Sequence, residues 1–222
     1  MKRLIIAIDG PSGAGKGTIA RTVAERLRYR HVDTGAMYRA VAWKALHDRI
    51  AVDDEPAVGA LAQRSNIELD AGRVLIDRHD VTKEIRTPEI DKAASSVARM
   101  PRVREALVSR QRRMAEGGGI VMEGRDIGTV VFPTADVKIY LDASADERAR
   151  RRMNDPAHSG GQAGQAAVAA SIEARDRSDT TRTASPLTMA ADAVLIDTTG
   201  LPIPQVVDRV MALVNERVQR SS

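Results

Sequence analysis

The chain contains no cysteine, which excludes a disulfide framework and any zinc site built on thiolates. Its four histidines, His31, His47, His79 and His158, lie at spacings that do not converge on a metal. Aromatic residues make up 2% of the 222 residues, too few for a platform on which single-stranded nucleic acid would stack its bases. No apolar run approaches the roughly 20 residues that cross a bilayer. The first strand-like run begins directly after Met1, Lys2 and Arg3, which leaves no room for a signal peptide. The expectation is a cytoplasmic protein without a membrane partner. At this length it is one domain with insertions, or at most two small ones, large enough to bury a full core without staples.

The chain is organised around Gly10, Pro11, Ser12, Gly13, Ala14, Gly15, Lys16, Gly17 and Thr18. An apolar run, Leu4 to Ile8, precedes this stretch and suits a buried parallel strand. Residues Ile19 to Leu27 follow with apolar positions at helical spacing. Strand, glycine loop and helix together turn G-x-x-x-x-G-K into a phosphate site. The glycines let backbone N–H groups point inward, the helix N-terminus adds its dipole, and Lys16 supplies a mobile positive charge. Gly17 stands where Ser or Thr usually follows the lysine, with Thr18 next; G-K-G-T resembles the version found in nucleoside monophosphate kinases.

The net charge of +4 and isoelectric point near 9.7 would also suit a nucleic-acid binder. The excess is mostly arginine, dispersed among 30 acidic residues, and arginine suits bidentate recognition of phosphate. A pocket for two charged nucleotides accounts for it equally well.

Further along, Arg30 to Val32 reads as a short strand, and Thr34 or Asp33 caps a helix running to about His47. Asp54 to Arg64 is amphipathic through Val58, Leu61 and Ala62. From Asn66 to Ile76 the period changes to alternation around Asp70, Ala71 and Gly72, a hairpin signature, so residues 64–84 read as a small β insertion. Helices are expected over 89–99 and 102–116, the second stopped by Gly117, Gly118 and Gly119. Strands follow at Ile120–Glu123 and Val137–Leu141, then a helix capped by Ser144 to about Asn154. Residues 155–165 are Gly-rich and aperiodic and read as a mobile loop. A helix from Gln165, a last strand at Ala193–Ile196 and a helix at Ile203–Arg217 complete the chain. Alternating strands and helices imply an α/β fold: a parallel sheet covered on both faces.

Several motifs recur in order: Asp33 to Arg39; Ala94, Ser95 and the Pro101–Arg104 stretch; Glu123 to Pro133 with Gly124, Arg125 and Asp126; and Arg175 to Asp179. With the glycine loop they closely resemble the bacterial cytidylate kinase family over nearly the whole chain. That resemblance implies a P-loop NTPase-type sheet flanked by helices, with a nucleoside-monophosphate-binding insertion and a mobile lid. The core would be about residues 1–33, 117–150 and 190–222, the acceptor region about 34–116 and the lid about 148–182. It implies transfer of the γ-phosphate of ATP, with Mg²⁺, to CMP or dCMP in pyrimidine metabolism, by a monomer with no nucleic-acid partner. The family often carries Asp where this chain has Glu123, and a more charged lid than residues 155–170 provide.

Phosphoryl transfer asks for positioning and charge stabilisation. Gly10 to Thr18 would hold the donor phosphates; Arg39 and Arg125, as their family counterparts do, would grip the acceptor phosphate. Cytosine donates from N4 and accepts at N3 and O2, which suits a carboxylate with an arginine or hydroxyl. Asp126, Arg104 and Ser95 fit those roles, and the resemblance assigns the base to the same three. Tyr38, Arg175 and Asp179 resemble ribose-side contacts, and Thr34 joins the acceptor site by its place in the motif. Core packing is the alternative for Tyr38, and an intrahelical ion pair for Arg175 with Asp179. Arg148, Arg151 and Arg152 share one helix face and look like arginines that swing over the phosphates; Arg182 joins them by resemblance, and Arg152 and Arg182 are taken with Lys16 as the catalytic cations. A solvated face is the alternative for all four. Glu123 or Asp142, each at a strand end, and Thr18 are the candidates near Mg²⁺. Two further readings are another small-molecule P-loop kinase and a nucleotide switch using Asp197, Thr198, Thr199 and Gly200; the switch lacks any N-K-x-D.

Overall fold

The computed structural model describes residues 3–70, 72–155 and 164–220. Strands β1 (Ile5–Asp9) and β2 (Arg30–Asp33) flank helix α1 (Lys16–Leu27) in the chain, and α2 (Thr34–His47) and α3 (Glu55–Arg64) follow. Short strands β3 (Ile67–Asp70), β4 (Arg73–Ile76) and β5 (His79–Asp80) come next. Beyond a single 3₁₀ turn lie α4 (Pro88–Val97) and α5 (Pro101–Met114). Strand β6 (Ile120–Gly124), a π-helical turn (Ile127–Val131) and β7 (Val137–Asp142) lead to α6 (Ala145–Met153) and α7 (Gln165–Thr181). Strand β8 (Val194–Asp197) and α8 (Ile203–Arg220) end it.

Five strands form one parallel sheet in the order β2-β6-β1-β7-β8. The apolar run of β1 is central because it has no solvent face to keep: Ile6, Ala7 and Ile8 are fully buried. The sheet is covered over its central strands, but at the β8 edge Val194 and Leu195 remain 43% and 55% exposed. Ile19, Val23, Val207 and Val210 pack α1 and α8 against β1 and β7. A separate core gathers α2 to α5 and the small sheet around Met37, Leu61, Ile76 and Leu107.

The expected β insertion is a three-stranded antiparallel sheet, β3-β4-β5. Its third strand has only two exposed residues and so no apolar alternation to betray it. Asp33, not Thr34, caps α2, accepting from Ala36 N at 3.0 Å. The Thr34 hydroxyl is turned to Glu123 O, 2.7 Å away. Ser144 caps α6 as the sequence suggests. Of the loop read at 155–165, residues 156–163 lie outside the described residues.

Candidate functional site

The glycine loop leaves β1 and enters α1 over the carboxyl ends of the sheet, where α/β folds place their ligands. Gly10 takes φ +147°, and a Cβ there would lie 2.0 Å from Leu141 O, so only glycine lets the loop pass this close to β7. Gly15 caps α1 with left-handed φ; no side chain satisfies the helix's first amides and no acid stands in its first turn. Those amides and the helix dipole are thus left for an anion. Lys16 is buried and donates to Pro11 O at 2.7 Å. Burial, with Arg125 and Arg175 nearby, pushes its ammonium down to about 7, against the pull of Glu123 and Asp9.

Beneath the loop Asp9 accepts from Ile127 N and Gly128 N at 2.8 and 2.7 Å, tying β1 to the π-helical turn. Burial pushes Asp9 up to about 6 even so. Asp176 on α7 accepts from Ser12 N at 3.0 Å and pairs with Arg148.

Arg148 and Arg151 lie against the glycine loop, and Arg151 also lines the cavity beside it. Arg148 donates to Ser12 O and Ala143 O, both at 3.1 Å. Arg151 donates to Ala14 O at 3.3 Å, to Thr198 Oγ1 at 2.9 Å and to Thr198 O at 2.7 Å. Both guanidinium groups brace the loop through its backbone carbonyls and are held in turn by Asp176 and Glu147. Thr198, from the stretch that spells D-x-x-G, is one of those braces. Arg152, on the same helix, instead pairs with Asp91 of α4.

One cavity of about 840 Å³ joins Ser12–Thr18 to Thr34, Tyr38, Arg39, Ser95, Arg104, Arg125, Asp126, Arg152, Arg175, Asp179 and Arg182. Gly10 and Pro11 lie outside its lining. Arg39 donates to Asp33 at 2.8 Å, and Arg86, which sequence reasoning missed, stands 3.6 Å from the same carboxylate. Burial disfavours the Asp33 charge, but Arg39, Arg86 and the Ala36 N–H hold its pKa well below the usual carboxylate range. Arg125 donates to Asp179 at 2.8 Å. Ser95 meets Ser178 at 3.2 Å.

Asp126 and Arg104 form a buried ion pair, their side chains 7% and 5% exposed. The Tyr38 ring lies 5.5 Å from the Arg104 guanidinium carbon. Burial pushes its hydroxyl up to about 12, against the pull of Arg104 and of Gln111. Tyr38 therefore packs in the core and lines the cavity at once. Arg182 is not with Arg152. It sits 3.7 Å from Asp126 and 3.8 Å from Asp179, its Nε donating to Ser185 O at 2.6 Å. The turn after α7 brings it to Asp126 and Asp179, which line the same cavity.

Of the metal candidates, Asp142 is spent on Ala143 N at 2.8 Å and does not line the cavity. Glu123 does line it, paired with His31 Nε2 at 3.0 Å. A Cβ on Gly17 would lie 3.3 Å from Glu123 Oε1, so the glycine leaves its side-chain space to this carboxylate at the start of α1. A hard oxygen donor beside Gly17, in the cavity that Thr18 also lines, fits Mg²⁺, which takes few protein ligands and completes its shell with water and phosphate. Among the described residues no cluster of three or more potential ligands forms a self-sufficient metal site.

The family model described as cytidylate kinase matches residues 6–216. A cytidylate kinase of Desulfitobacterium hafniense (strain Y51) is 50% identical over 221 residues, covering 98% of this chain and 95% of its own. One from Pelotomaculum thermopropionicum is 51% identical over 215 residues, 95% of each chain. Among solved structures, a gluconokinase from Sinorhizobium meliloti 1021 superposes with a TM-score of 0.50 at 12% identity, covering 98% of both chains. A shikimate kinase from Acinetobacter baumannii gives 0.50 at 12% identity, covering 96% of this chain and 94% of its own. At that identity they share the fold alone.

Proposed function

The chain belongs to the cytidylate kinase family and is a (d)CMP kinase, and from that premise we propose how its residues divide the work. ATP is the phosphoryl donor, held by Ser12 to Thr18, with Lys16 following the phosphates. CMP or dCMP lies at the other end of the same cavity. The observation that carries this reading is the buried Arg104–Asp126 pair sharing one cavity with the glycine loop.

Asp126 accepts from cytosine N4, while Arg104 and Ser95 serve N3 and O2. Uracil presents O4 and N3–H at those places and is disfavoured. Tyr38 flanks this end, its ring against the Arg104 guanidinium. Asp179 faces the ribose, and Arg175, tied to Asp91 beside Arg152, is reassigned from the ribose to the phosphates. Arg182, placed between Asp126 and Asp179, is reassigned from the transferred phosphate to the acceptor side. Arg39 and Arg125 grip the acceptor phosphate, next to Thr34. Arg152 remains the candidate for the charge that develops on the transferred group, worth orders of magnitude when supplied in place. Mg²⁺ would be held by Glu123 and Thr18, in part through water, and would neutralise charge on the donor phosphates. Closing the cavity excludes water, which otherwise competes as acceptor. One chain lines both subsites, so the working unit is a monomer acting on small nucleotides in the cytoplasm.

The test is ADP formation from ATP and Mg²⁺ with CMP, dCMP, UMP, AMP or no acceptor. Fast turnover with CMP and dCMP, slow with UMP and near none without acceptor is expected. Hydrolysis indifferent to the acceptor would overturn the division of the cavity.

A further inference from the structure

Asp91 stands in the first turn of α4, in none of the motifs, where two helices from one side of the cavity meet a helix from the other. Its Oδ2 accepts from Arg152 of α6 and its Oδ1 from Arg175 of α7 at 3.3 Å. The three side chains are 13%, 24% and 20% exposed. One turn on, Ser95 shares the same face of α4; with Arg99 it meets Ser178 of α7, at 3.2 and 3.4 Å.

Arginines crowd this end of the cavity, with Asp33, Asp155 and Asp179 as counter-charges beside Asp91. Burial, then Arg39, push Arg86 down; burial, then Arg125, do the same to Arg175; Arg152 is pushed down by burial and by Arg39. Asp91 is the counter-charge common to Arg86, Arg152 and Arg175. Such a gathering of guanidinium groups suits a bound phosphate and repels itself without one.

We propose that Asp91 is a positioning residue that stands in for substrate phosphate, holding Arg152 and Arg175 at the cavity until a phosphate takes them over. It offers one oxygen to each arginine. A nucleotide phosphate offers more oxygens and more charge, so the exchange favours substrate, yet every phosphate that binds must displace the carboxylate. The same exchange run backwards helps product leave. Asp91 thus weakens phosphate binding and speeds release. The inference rests on reading this cavity as the nucleotide site.

The test is calorimetric binding of cytidine, CMP and a non-hydrolysable ATP analogue to the full chain, as wild type, Asp91→Asn and Asp91→Glu. Asp91→Asn is expected to bind CMP or the analogue ~3- to 10-fold tighter, the scale of a partly exposed ion pair. Cytidine binding stays unchanged, Asp91→Glu stays near wild type, and in turnover KM and kcat fall together. Whichever nucleotide tightens names the phosphate that takes the arginines. Unchanged or weaker binding of both nucleotides, with or without a lower melting temperature, overturns the proposal. Wild-type protein that binds no CMP overturns the site reading beneath it. Should Asp91→Asn not fold, Asp91→Ser is read by the same criteria.

Discussion

At the scale of single residues, the Arg104–Asp126 pair couples selectivity to stability, because each buried charge is compensated by the other. On the proposed reading, Asp126→Asn presents an NH₂ to cytosine N4, which also donates. We expect kcat/KM for CMP to fall ~100-fold or more, the cost of one mismatched buried hydrogen-bonding group, with the preference over UMP largely lost. The uncompensated Arg104 should also lower unfolding free energy by about 3–5 kcal/mol, read by urea titration. Lys16 makes a different prediction. Its pKa is near 7 folded against 10.5 unfolded, so the unfolded chain binds more protons between those values and stability rises with pH across that window. A bound phosphate raises that pKa again. Nucleotide binding near pH 8 should therefore take up a proton, detectable by calorimetry in buffers of different ionisation enthalpy. Lys16→Met should abolish both the uptake and fast turnover.

At the scale of elements, Asp33 does two things from the end of β2: it caps α2 and anchors Arg39 with Arg86. Asp33→Ala should cost about 1 kcal/mol for the cap alone and raise KM for CMP as Arg39 loses its orientation. Since the carboxylate's pKa is depressed below its ordinary 3.8, its stabilisation is present above about pH 4 and lost as pH falls further. The variant should show a flatter acid limb in its stability profile. Elements of this kind were legible in the sequence wherever one local rule decides them. The glycine loop was, because its function requires a backbone only glycine permits; so were β1, β6 and β7, whose mostly buried positions read as apolar runs. What stayed hidden is what distant partners decide. Nothing local says that Arg148 and Arg151 spend their donors on Ser12, Ala14 and Thr198, more than 40 residues away in sequence, or that Asp91 lies under Arg152. One helix face carries three arginines; only its packing tells that Arg148 braces the loop, that Arg151 braces it and lines the cavity, and that Arg152 reaches Asp91.

At the scale of the whole molecule, the cavity is bounded by α1, α2, α4, α6 and α7 together, so ligands should clamp otherwise separate cores. CMP with a non-hydrolysable ATP analogue, each at 100 times its dissociation constant, would contribute about 2.7 kcal/mol apiece. For a domain of this size that is a rise in melting temperature on the order of 10–20 °C, checked by scanning calorimetry; a rise seen with the analogue alone and not increased by CMP would argue against two subsites. The sheet order carries one more consequence. The central strand β1 is made first, yet its neighbours begin at Ile120 and Val137. At ~5–20 residues per second of synthesis, the first neighbour emerges roughly 6–23 s later. Until then the most apolar strand of the chain has no partner on the ribosome and the glycine loop no floor, while α2 to α5 can already close their own core. The nascent protein acquires its acceptor half before it can hold ATP, and β1 is the segment that most needs shielding in the interval.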